Sequence, residues 1–325
     1  MFSVVVGLLL VLVELVYFKI ATIKNIIDKP NLRSSHYKVT IRGGGILFPI
    51  ALFCWFLKEE EYPFFLVGLL FISVISFLDD IIELSNTIRI FVHFISVALL
   101  LYSLFVNIEW YYYLLLFIIT VGMLNAYNFM DGINGITGLY SLSWLSTLYI
   151  INKVYLTFIQ TSFIEIVIIS VFIFLLFNYR KYAICFAGDI GSISIGFIGV
   201  FLSLKLAFKA ETILPILLFS VYGIDSVATI IFRLIRKENI FKAHRSHLYQ
   251  ILANEYKIDH RLISLGYLAV QIFINLLVIF LFINKLMYTW MIVSIVLIVF
   301  SLLYLFIRLR LQTWEELTKP QVQTN

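Results

Sequence analysis

Along the chain, apolar residues come in long blocks and polar residues in short breaks between them. The blocks have the length needed to cross roughly 30 Å of hydrocarbon, about 20 residues each. They predict about eleven spans, at 1–20, 43–57, 63–78, 89–106, 110–126, 136–152, 158–177, 190–208, 212–235, 262–283 and 286–308, the second and third of them short. Hydrophobic residues make up 62% of the 325 and charged residues 13%, more apolar surface than a soluble domain of this size can hide. The expected fold is an all-α integral membrane protein, a bundle of about 10–11 transmembrane helices. With no long linker, low-complexity tract or internal repeat, residues 1–325 read as a single domain. The first block follows no basic stretch and ends at no small-residue cleavage site, so it is expected to stay as a span.

Charge then orients the bundle, because basic residues accumulate on the cytoplasmic side of membrane proteins. If the first span runs from outside to inside, one face collects Lys19, Lys24, Arg42, Arg89, Arg180, Arg233, Arg245, Arg308 and most other basic residues. The opposite face keeps Lys58, Lys153, Lys205, Lys209 and Lys285. The N-terminus is expected outside and the C-terminus inside, with brief external connections.

The cytoplasmic connections carry nearly everything unusual. In order they are DKPNLRSSHYKVTIRGGG (28–45), FLDDIIELSNTIR (77–89), NAYNFMDGINGITG (125–138), NYRKYAICFAGDIGS (178–192) and RKENIFKAHRSHLYQ (236–250, within the connection 236–261). All five share one face, so they can converge on one cytosolic cleft, and ionisable residues at membrane depth usually mark function.

Each segment also has a plainer reading. Asp79 and Asp80 are either an acidic helix end or a carboxylate pair that holds a proton or a divalent cation. NFMDGING is either a turn or a ligand-lining loop whose glycines let backbone come close, and its polar groups exceed what a turn needs. GDIGS is either an N-capping Asp189 or a metal-binding carboxylate beside a helix N-terminus that faces phosphate. His244 and His247 in HRSHLYQ lie three apart, on one helical face with Arg245 between them. That suits a cationic grip on phosphate better than zinc, which lacks further ligands at useful spacing; a solvated basic loop is the plainer reading. RSSHYKVTIRGGG adds Arg33, His36, Lys38 and Arg42, and a basic anchor does not account for its glycine run. Neither glycine-rich segment matches a Walker or Rossmann loop, which argues against ATP hydrolysis, and no nucleic-acid partner is indicated. Carboxylates, cations and glycine-rich backbone on one face point to an anionic substrate, a diphosphate, with Mg²⁺.

PNLRSSH with RGGG, FLDD with a following LS and R, NFMDGING, FAGDIGS and AHRSHLYQ together resemble the polyprenyl-phosphate N-acetylhexosamine-1-phosphate transferases. The match runs in the family's order over residues 28–250, and AHRSHLYQ looks like the O-antigen and common-antigen initiating branch. The resemblance implies transfer of a sugar 1-phosphate from a UDP-N-acetylhexosamine to undecaprenyl phosphate, with UMP released, at the inner membrane of a bacterium. It further implies Mg²⁺, with Mn²⁺ as a substitute, membrane lipid as surroundings, and a homodimer as the assembly to test.

Residue by residue, the resemblance makes Asp189 the metal ligand. Asp79, supported by Asp80, deprotonates or positions the lipid phosphate, with positioning favoured; Asp131 is the third catalytic carboxylate and belongs with the substrate-binding Asn128 and Asn134 to the nucleotide-sugar loop. Phe186 stacks on uracil, with Asn178 near the same pocket. His244, Arg245 and His247 close over the diphosphate or sugar, and Lys38 and Arg42 assist electrostatically. The chain departs from the pattern at Asn134, where an acid is usual, and before GDIGS, where YRKYAIC replaces a proline-rich stretch. It also lacks the triple histidine of the related phospho-MurNAc-pentapeptide translocases, the alternative within the family. A transporter of an anionic metabolite is the alternative from another class, with Glu14, His93, Glu165 and Asp225 as buried relay groups. Clusters at one face and the missing repeat argue against it.

Overall fold

The computed structural model describes residues 2–30, 35, 37–82, 84–240, 244–285, 288–313 and 316–317. The helices in chain order are α1 (Phe2–Ile23), α2 (Leu47–Glu59), α3 (Pro63–Ile82), α4 (Asn86–Tyr102), α5 (Trp110–Met130), α6 (Ile136–Ile150), α7 (Thr161–Asn178), α8 (Gly188–Ala210), α9 (Ser220–Ile235), α10 (Leu248–Asn254), α11 (His260–Asn284) and α12 (Thr289–Leu311). A two-residue antiparallel pair, β1 (Ile27–Asp28) and β2 (Thr40–Ile41), follows α1. Among the described residues, eight helical stretches are long and apolar enough to cross a membrane, including Leu214–Ile235, which joins a 3₁₀ turn to α9. The chain is a multi-pass, all-α membrane protein.

Every expected span has its helix, but lengths differ. The third is not short: α3 runs 20 residues because Ile81 and Ile82 carry the apolar run past Asp79 and Asp80, and the Leu84 amide donates back to Asp79 Oδ1 at 2.8 Å. α2, α4 and α6 are short, at 13, 17 and 15 residues, and α9, at 16, reaches spanning length only with the 3₁₀ turn before it. Helix α10 was not expected at all, for it lies inside the last polar connection.

Helix α8 is the axis of the bundle. Of its apolar window 83% is buried, against 11% for α12 on the rim. Small residues allow that enclosure, as usual where membrane helices pack closely. Tyr127 of α5 packs over Gly196, and Trp144 of α6 with Phe219 packs over Gly199. Ser73 and Ser194 join α3 to α8 through a 2.7 Å hydrogen bond. Because α8 starts at Gly188, its central place puts GDIGS in the middle of one end of the bundle.

Candidate active site

At that end lies a cavity of about 450 Å³ to which all five polar segments contribute. Backbone contacts bring the RGGG and FAGDIGS segments together. Ile41 and Phe186 exchange hydrogen bonds with the facing chain (Ile41 N to Ile184 O, 3.2 Å; Phe186 N to Ile41 O, 2.8 Å). Gly44 N and Gly45 N then donate to Phe186 O and Ala187 O at 2.8 and 3.1 Å. A Cβ on Gly45 would run into the Gly191 backbone, so the glycine run is explained by close approach. Gly188, at φ 70°, sits 2.6 Å in Cβ terms from Asp80 Oδ2, which places the end of α3 against the start of α8.

Four carboxylates and two guanidinium groups face one another there. Arg89 Nη1 pairs with Asp79 Oδ2 at 2.8 Å, and its Nη2 lies 3.9 Å from Asp189 Oδ2. Arg42 pairs with Asp28 at 2.9 Å and stands 3.8 Å from Asp80 Oδ1. Asp80 also accepts from the Ile190 amide at 3.3 Å, in the first turn of α8. Asp79 and Asp80 are nearly buried, at 10% and 4%, whereas Asp189 is 32% exposed and so accessible to a ligand.

The NFMDGING loop closes the opposite wall. Ser192 of α8 donates to Asn128 Oδ1 at 2.9 Å, and Thr137 donates to Asp131 Oδ1 at 2.6 Å. Burial, with the Asp189 charge adding, pushes the Asp131 carboxyl up to about 7. Asn178 lines the cavity but is internally committed: its Oδ1 accepts from Gly135 N at 2.7 Å and its Nδ2 donates to Cys185 O at 2.9 Å. It holds two site loops in register.

Asn134 and Lys38 face a neighbouring cavity of about 300 Å³ that shares Ser35 and Phe186 with the first. Asn134 donates to Arg180 O at 2.8 Å, and Lys38 Nζ lies 3.9 Å over the Tyr182 ring. The structure does not place His244, Arg245 or His247 among the residues lining the main cavity. His247 is buried against Asp225, and Arg245 is exposed. Arg33 and His36 lie outside the described residues.

Sequence reasoning missed three contributors. Arg89 stood in the quoted motif, nine residues after Asp80, but its spacing did not reveal that it would bridge Asp79 and Asp189. Asp28, at the start of the first quoted segment, and Gln250, at the end of AHRSHLYQ, line the cavity, and neither was singled out from its segment.

Among the described residues, no three His, Cys, Asp or Glu side chains gather closely enough to hold a metal alone. The donor chemistry nevertheless fits Mg²⁺. This ion binds through one or two carboxylates and completes its shell with water and substrate phosphate. Asp189, the exposed carboxylate of the set, suits that role, with Asp79 beside it.

The sequence profile of glycosyl transferase family 4 matches residues 62–207, from the start of α3 into α8. A phospho-N-acetylmuramoyl-pentapeptide-transferase of Dictyoglomus thermophilum is 30% identical over 224 residues, covering 61% of this chain and 69% of the relative. The chain belongs to glycosyl transferase family 4. Within the family it is also similar to a probable undecaprenyl-phosphate N-acetylglucosaminyl 1-phosphate transferase of Bacillus subtilis. That relative is 28% identical over 286 residues, 81% of this chain and 76% of the relative. An undecaprenyl-phosphate alpha-N-acetylglucosaminyl 1-phosphate transferase of Yersinia pestis is 27% identical over 263 residues, 72% and 71% of the two chains. The family match spans three of the five polar segments, those bearing Asp79, Asp131 and Asp189.

Proposed function

We propose that the chain transfers N-acetylhexosamine 1-phosphate from a UDP-sugar to undecaprenyl phosphate and releases UMP. The observation that carries this is the cavity where Asp79, Asp80, Asp131 and Asp189 meet Arg42 and Arg89 at one end of a lipid-exposed bundle. The Bacillus and Yersinia relatives support N-acetylglucosamine as the first sugar to test. The concentration of basic residues at that end supports a cleft facing the cytoplasm, where UDP-sugars are made.

In the reaction an oxygen of the lipid phosphate attacks the β-phosphorus of the UDP-sugar, and the bridging oxygen leaves with the α-phosphate as UMP. One phosphoanhydride replaces another, so no further energy source is required. A phosphate monoester is largely ionised near neutral pH, its second pKa being about 6. The work of Asp79 and Asp80 is therefore to orient the groups that hold the two phosphates, more than to abstract a proton. Asp79 fixes Arg89 and Asp80 faces Arg42; Arg42 lines the cavity and Arg89 stands beside its Asp79 and Asp189, where the two guanidinium groups offset charge on non-bridging oxygens. Mg²⁺ held at Asp189 would supply Lewis-acid neutralisation of the diphosphate. Asn128 and Asp131 line the wall facing Asp189 and bound the space left for the nucleotide sugar.

The test is UMP release by protein purified in detergent, with undecaprenyl phosphate, Mg²⁺ and a panel of UDP-N-acetylhexosamines. Lipid-dependent UMP with one sugar is expected. A second reading, transfer of phospho-N-acetylmuramoyl-pentapeptide, is favoured by the Dictyoglomus relative and enters the panel as UDP-N-acetylmuramoyl-pentapeptide. No UMP with any donor from folded protein would sink both.

A further inference from the structure

The two histidines of HRSH meet a buried carboxylate on the far side of α10 from the cavity. Asp225 of α9 is 1% exposed and accepts from four elements at once. His247 Nδ1 lies 3.1 Å from its Oδ1, joined there by the Leu248 amide at 3.3 Å, Tyr304 OH at 3.1 Å and Thr229 Oγ1 at 3.3 Å. Tyr267 OH donates to Oδ2 at 2.6 Å. From the other end, Arg233 Nη1 lies 2.7 Å from His244 Nδ1, and the two imidazoles meet Nε2 to Nε2 at 3.1 Å.

The partners fix where the protons sit. A guanidinium has no acceptor, so His244 Nδ1 must offer its lone pair to Arg233. His244 is then the neutral tautomer with its proton on Nε2, which it donates to His247. The receiving Nε2 of His247 therefore carries no proton, and the proton on its Nδ1 goes to Asp225. All four ring nitrogens are engaged by protein. We infer that His244 and His247 are not a cationic grip on phosphate but a neutral, proton-ordered pair, and that Asp225 acts through them as a positioning residue for the transfer reaction.

What they position is visible in the contacts. The Phe129 ring, between Asn128 and Asp131, packs on both imidazoles with centroids 6.0 and 6.1 Å away. Tyr249 OH donates to Phe129 O at 2.9 Å, and Gln250 of the same helix reaches the cavity. Arg308 of α12 holds Ser246 O at 2.8 Å, so the HRSH segment is clamped on both sides. The path runs from Asp225 through the imidazoles and Phe129 to the two polar residues that flank Phe129 in the NFMDGING wall.

The kinetic arm of the test rests on the proposed transferase reading; the spectroscopic arm does not. Ring-¹⁵N-labelled histidine spectra of the full chain in nanodiscs at neutral pH, assigned with His244→Gln and His247→Gln, should show two neutral rings of opposite tautomer. An imidazolium at either position, or two like tautomers, would overturn the inference. Asp225→Asn should disturb the His244 signals although Asp225 does not touch that ring, and an unchanged His244 spectrum would overturn the relay. If that variant does not fold, the wild-type spectrum still decides. In the UMP assay, Asp225→Asn should lower kcat about 10- to 100-fold, the range seen when a partner that orients a reactive group is lost, with the KM for the UDP-sugar within about twofold. A raised KM at unchanged kcat would instead assign the histidines to direct anion binding. Wild-type protein without transferase activity would sink the functional reading and leave the tautomer result standing.

Discussion

Asp225 and Asp189 are both carboxylates at the same end of one bundle, yet they are treated in opposite ways. Asp225 is 1% exposed and collects hydrogen bonds from His247, Leu248, Tyr304, Thr229 and Tyr267. Its charge is answered by protein donors on both oxygens, and its burial keeps a ligand away. Asp189 is 32% exposed, with its nearest guanidinium nitrogen 3.9 Å away, beyond hydrogen-bond distance. The saturated carboxylate builds structure, and the one with an Asn128 hydrogen bond but no close cation is available for chemistry. Removing a group from either place should therefore have a different signature.

The largest effect is expected from Asp189→Asn. It should lower UMP release by at least about 100-fold, because the charge stabilisation lost is several kcal/mol and each 1.36 kcal/mol is tenfold. Thermal stability of the variant should stay at or above wild type, since a charge short of partners is removed; a large drop in melting temperature would make Asp189 structural like Asp225. Next comes Arg89→Ala, expected to reduce kcat about 10- to 100-fold, with Arg89→Lys recovering part of the loss because the charge remains without the two-pronged geometry. Equal loss in both variants would point to the bidentate geometry alone.

Packing gives a smaller contrast between the same cleft and the lipid-exposed rim. Gly45→Ala should destabilise the protein by about 1–3 kcal/mol, the usual cost of overpacking, for its Cβ has backbone in the way. Gly266→Ala in α11, where nothing lies within 4 Å of the added carbon, should stabilise by about 0.5–1 kcal/mol through helix propensity. Melting curves of the two variants check both signs.

The smallest effect is in pH. Folding raises the Asp131 carboxyl from 3.8 to about 7, so between these values the folded chain holds a proton that the unfolded chain has lost. Stability should fall as pH rises through that window and level off above it. With EDTA present, the melting temperature of wild type relative to Asp131→Asn should decline from pH 5 to pH 8. A difference that is flat or rises would show that Asp131 is not held in this environment.

Much of this was legible in the sequence, for physical reasons that also mark its limit. A block of about 20 apolar residues has few places to go but lipid, so the spans were readable from length. Five polar breaks on one face had to meet, and Asp79, Asp80, Asp131, Asn128, Asn178, Phe186, Arg42 and Asp189 do line one cavity. What spacing could not show is which atom points at which. Asn178 carries polarity suited to a ligand but uses both ends of its amide on Gly135 and Cys185. His244 and His247 sit at helical spacing, yet His247 precedes α10 as its cap and turns inward to an acid 22 positions earlier in the chain. Asp225 read as a relay group of a transporter because sequence shows a buried acid without showing its donors. Arg89 lay in plain view and gained meaning when α4 was found folded back beside α3.

The most direct test of the central claim follows the β-phosphorus. Wild-type protein in nanodiscs is given undecaprenyl phosphate, Mg²⁺ and UDP-N-acetylglucosamine labelled with ³²P at the β-position, and the label is partitioned between lipid and water. Label is expected to enter the lipid fraction in step with UMP, and to stay in water with Asp189→Asn. Sugar entering the lipid fraction while the label stays behind as UDP would mean that the bond broken is the glycosidic one, and would contradict transfer of a sugar 1-phosphate.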